Sequence, residues 1–257
     1  LLTGPAGGGK TTTLYALLRD LVADPHRRRS LYTLEDPIES ALEGVAQAQL
    51  NPTQGFDLTA GLRSLVRLDP DVVAIGELRD PTTAQLAFQT ALTGCLVLAT
   101  FHASSAIAAL QRLLDFGLEA HLIRGGPLTI VHQVLARRLC PFCSEPAPSP
   151  LLRIPFDFEP EDAPNRSITP RQASPQGCSH CDRGYRGRFV LAEHLDAHHP
   201  ALDQPIRDRV DRAGLQRAAR EAGWISRREQ AQTAWAGGIT SQAELVRTLG
   251  FADPWVA

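Results

Sequence analysis

The residues Gly4-Pro5-Ala6-Gly7-Gly8-Gly9-Lys10-Thr11 have the spacing G-x-x-x-x-G-K-[ST]. Glycines let a loop turn its main-chain N–H groups inward around β- and γ-phosphates, the lysine adds a compact point charge, and the threonine hydroxyl is a ligand for Mg²⁺. The segment from Thr11 to Leu18 continues as an apolar-striped helix whose N-terminus, Thr12 included, faces the anion. Leu1-Leu2-Thr3 reads as the end of the preceding strand. Lysine usage points to the same place: of 26 basic residues, only Lys10 is not arginine. A chain so biased toward arginine keeps lysine where a guanidinium cannot replace an ammonium. The chemistry to expect is ATP binding and phosphoryl transfer, with Gly4, Gly7, Gly8, Gly9, Lys10, Thr11 and Thr12 around the nucleotide.

Three short apolar runs are expected to position the remaining chemistry. Leu31–Leu34 delivers Glu35-Asp36-Pro37-Ile38-Glu39, Val72–Gly76 delivers Glu77, and the run from Cys95 to Thr100 delivers His102. Helical-period segments such as Thr82–Leu92 separate these runs, and strands alternating with helices predict an α/β fold with a parallel sheet covered on both faces. Ligands on such sheets bind at the C-terminal strand ends. Each acid alone reads better as a solvated loop charge, but three polar strand ends converging beside a phosphate loop read better together as a site.

Cys140-Pro141-Phe142-Cys143 and Cys178-Ser179-His180-Cys181 are two C-x-x-C pairs separated by 34 residues. They suit a closed tetrahedral S₄ site for structural Zn²⁺; two disulfides are the alternative, disfavoured in a reducing compartment. His180 is expected to point outward, and Cys95 to be a small buried hydrophobe. Eleven of the 19 prolines lie between Pro141 and Pro205, so this region is loop-rich, with metal standing in for a core. Ser144 to Gln176 reads as an exposed excursion. Beyond about Phe189 helices are predicted over Ile206–Arg220, Arg227–Ala236 and Ser241–Leu249, the last capped by Thr240 or Ser241. Arg207, Arg209, Arg212, Arg217 and Arg220 alternate with acids and are expected to form a solvated face. A net charge of −2 argues against nucleic acid as partner. No apolar run approaches a membrane span, and a cytosolic location is expected. The chain has no Met and opens inside a motif, so an upstream segment is expected.

The phosphate loop, the Glu35–Glu39 stretch, the run from Leu68 to Asp80 and the run from Thr93 to Ala103 together resemble the Walker A, aspartate, Walker B and histidine boxes of the type II secretion and type IV pilus ATPases. These are hexameric motors of RecA-like fold, and the resemblance extends from Leu1 to about Leu249. It implies Glu39 as the base that polarises water, Glu77 as organiser of the Mg²⁺ shell together with Thr11, and His102 as a sensor of the γ-phosphate. Glu35 and Asp36 would stand at the nucleotide. Arg63 and Arg67, four apart on a predicted helix Leu62–Leu68, resemble arginines that reach nucleotide across a subunit boundary; a solvated cationic stripe is the other reading. The sequence departs from the family at Cys95, where a histidine is usual, and at Ala6-Gly7-Gly8, where Thr-Gly-Ser is common. Gly76, at a position where many phosphate-loop enzymes carry Asp, is shared with the family.

The implied organisation is a RecA-like core over 1–138, a tetracysteine zinc module over 139–189 and a helical subdomain over 190–257, with a further domain upstream. The cysteine module favours secretion or pilus assembly over pilus retraction. The implied function is ATP hydrolysis that powers pseudopilus assembly, by a homo-hexamer working with inner-membrane platform proteins at the cytoplasmic face of that membrane. A type IV pilus assembly or DNA-uptake ATPase is the alternative, and a non-hydrolysing nucleotide-binding scaffold a second. Because the upstream domain supplies further arginines in the family, weak activity is expected of this chain alone.

Overall fold

A computed structural model describes residues 1–24, 26, 29–147 and 170–249. Most of the expected excursion between Ser144 and Gln176 therefore lies outside the described residues. Contacts divide the chain into two units, one formed by Leu1–Gln133 with Glu193–Ile225 and the other by Val134–Ala192 with Ser226–Ala257.

The first unit holds β1 (Leu2–Thr3), α1 (Lys10–Ala23), β2 (Leu31–Glu35), β3 (Ala46–Gln49), α2 (Leu58–Leu65), β4 (Val72–Leu78), α3 (Pro81–Leu92), β5 (Leu96–Phe101), α4 (Ala106–Asp115) and α5 (Ala120–Arg124). The start of β6 (Thr129–Leu139) completes this run. Sheet order is β3-β2-β4-β5-β1-β6-β9, where β9 is Tyr185–Asp196. The pairs β1–β5, β1–β6, β2–β3, β2–β4 and β4–β5 are parallel. Parallel strands need both faces covered, and the run Val72-Val73-Ala74-Ile75 is accordingly buried without alternation. Polar side chains set the helix starts: Asp57 accepts from Ala60 N, Asp80 from Thr83 N with Pro81 following, and Ser105 from Ala108 N.

Downstream, the elements depart from the sequence expectation in three ways. The strand β9 runs to Asp196, past Phe189, where helix was expected. Leu191, Glu193 and Leu195 are its buried positions, which is period two, and the buried acid at the middle position hides that alternation from a hydropathy reading. The expected helix Ile206–Arg220 is two helices, α6 (Asp203–Arg207) and α7 (Arg212–Glu221). The break carries Arg209 at φ 49° and Asp211, which caps α7 by accepting from Gly214 N. Arg209 is exposed as expected, and its guanidinium also donates to Leu114 O at 2.7 Å and Leu118 O at 3.0 Å, tying the break to the chain where α4 ends. Finally, the region after 190 does not stay together. Leu202 and Ile206 join the core of the first unit, as do Leu215, Ala219 and Trp224, in the cluster that contains Phe101, Leu110 and Ile130.

The second unit contains the antiparallel pair β7 (Glu145–Pro146) and β8 (Arg171–Gln172), with α8 (Arg227–Ala236) and α9 (Gln242–Leu249). Ser226 and Glu229 form a capping box on α8, and Ser241 accepts from Glu244 N at the start of α9. Ala136, Leu191, Ala231, Ala234 and Leu245 form its apolar cluster. Beside them Glu244 is fully buried, bonded to Arg137 Nη2 at 2.7 Å and Arg247 Nε at 2.8 Å.

Candidate functional site

The phosphate loop closes on itself. Lys10 Nζ donates to Gly4 O and Pro5 O, each at 2.9 Å, and Gly8 N donates to Pro5 O at 3.1 Å. Gly9 has φ 85° where α1 begins, so the chain turns into the helix with its N–H groups facing the loop. Burial holds the Lys10 ammonium below the ordinary lysine range, opposed by the Glu77 carboxylate. A residue that the sequence reading did not single out braces this loop from behind. Gln133, 2% exposed in β6, donates from Nε2 to Gly8 O at 2.8 Å. Its backbone explains Gly4: at φ 149°, a Cβ on Gly4 would stand 2.3 Å from Gln133 O. The β-branched run Thr129-Ile130-Val131 after Gly125-Gly126-Pro127 was the available signal for this strand.

Around the C-terminal ends of β4 and β5 the predicted polar groups meet. Glu77 Oε1 lies 2.6 Å from His102 Nε2, and Arg79 Nε donates to Glu77 Oε2 at 2.5 Å. Arg79 also stands 3.7 Å from Asp36, so the ends of β2, β4 and β5 share one polar network. Arg112 sets the His102 segment, donating to His102 O at 2.9 Å while its guanidinium lies 5.1 Å from the Phe101 ring centroid and 5.4 Å from that of Phe116. A Cβ on Gly76 would come within 3.2 Å of Leu34 O and 3.3 Å of Glu35 Cα. The close approach of β2 thus makes the position tight: any side chain there has to push β2 aside by a few tenths of an ångström.

The two glutamates of the Glu35–Glu39 stretch have different surroundings. Glu35 is 3% exposed, and both its oxygens accept from protein donors: Oε2 from Tyr15 OH, and Oε1 from Thr33 Oγ1 at 2.5 Å and Gln47 Nε2 at 3.0 Å. Glu39 is exposed, its main-chain N donating to Tyr15 OH at 3.2 Å. Thr11, the second residue of α1, is half-buried, with Thr12 exposed beside it. Arg63 and Arg67 are both exposed, but the expected single helix tightens after Leu65: Arg63 lies in the last turn of α2 and Arg67 sits in a 3₁₀ turn, Val66–Leu68.

In the second unit the four predicted ligands come together, the Sγ atoms of Cys140, Cys143, Cys178 and Cys181 all lying within 4.8 Å of one another. Cys140–Cys178 is 3.8 Å, Cys143–Cys181 3.6 Å and Cys178–Cys181 3.7 Å. A tetrahedral ion with metal–sulfur bonds of about 2.3 Å requires sulfurs about 3.8 Å apart, whereas a disulfide requires about 2.05 Å. The spacing fits a metal and excludes the disulfide alternative in this structure, where all five cysteines are free. Without a cation the thiols cannot all ionise: burial and the neighbouring sulfurs push Cys143 up to about 12. His180 is exposed, its ring 4.7 Å from that of Phe142. Cys95 is buried, and burial raises its pKa.

A glycine loop between a buried strand and a helix, with Glu77 and His102 paired at the ends of the next parallel strands, defines a phosphate-loop nucleotide-binding core. Residues 1–247 match the family described as Type II/IV secretion system protein, and the chain belongs to that family. It is 45% identical over 198 residues to type II secretion system protein E of Klebsiella pneumoniae, covering 76% of this chain and 37% of that protein. With the protein of that name from Pseudomonas aeruginosa the identity is 40% over 256 residues, 96% of this chain and 47% of the relative. The type IV pilus assembly ATPase PilB of Pseudomonas aeruginosa is 37% identical over 247 residues, again 96% of this chain and 42% of the relative. The chain thus spans less than half the length of these relatives. In fold it is similar to the pilus retraction motor PilT with bound ADP, with a TM-score of 0.69 at 20% identity over 98% of this chain and 61% of that one. Among the described residues no helix is long and apolar enough to cross a membrane.

Proposed function

We propose that this chain is the nucleotide-hydrolysing part of a homo-hexameric motor that powers pseudopilus assembly in type II protein secretion, working on inner-membrane platform proteins from the cytoplasmic side. The observation that carries the reading is the Glu77–His102 pair, 2.6 Å apart, at the strand ends beside the phosphate loop. In it the glycine-loop amides and Lys10 hold the phosphates of ATP. To be free for phosphate, Lys10 exchanges its bonds to Gly4 O and Pro5 O for the nucleotide's oxygens, a like-for-like replacement of acceptors around one ammonium. Thr11 and Glu77 offer hard oxygen donors to Mg²⁺, which neutralises charge on the triphosphate when bound. The exposed carboxylate of Glu39 takes the proton of the attacking water. His102 reports the γ-phosphate to Glu77, Asp36 stays with Arg79 at the rim, and Arg63 and Arg67 reach the nucleotide of an adjacent subunit. Cys140, Cys143, Cys178 and Cys181 hold Zn²⁺, which closes the loop-rich second unit.

Pilus assembly is the second reading, favoured by the relative PilB, whose match covers as much of this chain as that of the Pseudomonas aeruginosa secretion protein. Steady-state phosphate release by the full-length protein tests the enzyme: Glu39→Gln keeps ATP binding and loses turnover, and Lys10→Arg loses binding although charge is kept. Turnover by Glu39→Gln at the parental rate overturns the assignment of the base. Restored secretion, rather than piliation, in a strain lacking its own motor separates the two cargoes.

A further inference from the structure

The Glu39 segment is hung on the helix that carries the phosphate-binding residues. Tyr15 lies on α1 five residues beyond Lys10, about 7.5 Å along the same rigid helix. It is 4% exposed, and its hydroxyl makes two bonds at once: it donates to Glu35 Oε2 and accepts from Glu39 N at 3.2 Å. Glu35 is held in turn by Thr33 and Gln47, and Gln47 also donates to Ser40 O at 3.1 Å and accepts from Leu42 N at 2.7 Å. A phenol in this place can direct its one proton only to the carboxylate, which leaves its oxygen lone pairs for the Glu39 amide. Burial and the Glu35 hydrogen bond raise the Tyr15 pKa, which keeps that proton in place.

We propose that Tyr15 is a positioning residue for hydrolysis: anchored on the buried Glu35, its hydroxyl fixes the main chain of Glu39 relative to Lys10 and Thr11, and so places the base against the phosphate that the same helix binds. The proposal rests on Glu39 being the base. It gives Glu35 a task distinct from touching nucleotide, since both its oxygens serve the protein. A misplacement of a catalytic group by about 1 Å is worth about 10²-fold in rate, and the loss falls on kcat because nucleotide is still held by the loop.

The test measures ATP turnover and ATP binding in the full-length protein for Tyr15→Phe, Glu35→Gln and Glu39→Gln, with the double variant Tyr15→Phe/Glu39→Gln. Tyr15→Phe keeps the buried ring and is expected to lower kcat by about 10²-fold, with KM and ATP affinity within about threefold of the parent. Glu35→Gln gives the same pattern in weaker form and serves if Tyr15→Phe does not fold. Acting through Glu39, the tyrosine adds nothing once the base is gone, so the double variant equals Glu39→Gln alone. An inactive Glu39→Gln beside a fully active Tyr15→Phe overturns the positioning role, as does a double variant slower than Glu39→Gln alone. An active Glu39→Gln overturns instead the base assignment on which the proposal stands.

Discussion

Replacing Gly4 with alanine puts the brace between the phosphate loop and β6 under load. A Cβ there would stand 2.3 Å from Gln133 O, where separations under 3.0 Å are essentially never found, so the loop and the strand have to part by about 0.7 Å. Overpacking of this kind costs about 1–3 kcal/mol, and a non-glycine residue at φ 149° adds about 1–3 kcal/mol of backbone strain. Gly7 is the internal control. It also has a positive φ, 70°, but a Cβ added to it meets nothing within 4 Å, so only strain of about 1–2 kcal/mol applies. Urea unfolding of the nucleotide-free protein is expected to place Gly4→Ala below Gly7→Ala in stability. Titration with a fluorescent ATP analogue should show Gly4→Ala weakened at least about tenfold, since about 1.4 kcal/mol of the penalty on the bound loop suffices. A Gly4→Ala protein as stable as Gly7→Ala and binding nucleotide like the parent would refute the brace.

Two further outcomes concern the second unit. Burial pushes the Glu244 carboxyl up, but hydrogen bonds from Arg247 and Arg137 outweigh it and bring its pKa from 4.5 to about 2. A carboxylate depressed in the folded state stabilises above its unfolded value and loses that contribution as pH falls. About 3 kcal/mol should therefore be present above pH 4.5 and disappear progressively toward pH 2, and acid titration of Glu244→Gln followed by circular dichroism should lack that slope; an unchanged slope rejects the ion-pair account. Elemental analysis of protein purified without chelators should find one zinc per chain, and Cys178→Ser should lose it and expose the second unit to protease while nucleotide affinity stays within about threefold, because the phosphate loop belongs to the other unit. Four free thiols with no bound metal would reject the tetracysteine site.

What the sequence determined by itself is the chemistry carried by contiguous residues. The phosphate loop needs glycines, Lys10 and Thr11 within one turn of chain, so its whole signature lies in Gly4–Thr11, and each C-x-x-C pair is likewise a local object whose spacing already sets its geometry. The apolar runs of β2, β4 and β5 were legible too, because parallel strands in a covered sheet are continuously apolar, and Ser241 was legible as a helix start. Gln133 against Gly8, His132 against Thr3 and Arg209 against Leu114 were decided by tertiary structure alone, since these partners lie 125, 129 and 95 residues apart and no chain-local period encodes them. The same holds for the division of labour between Glu35 and Glu39. In sequence they are two acids four residues apart, and only the packing of α1 against the end of β2, which brings Tyr15 to one carboxylate and to the main chain of the other, makes one an anchor and leaves the other facing solvent.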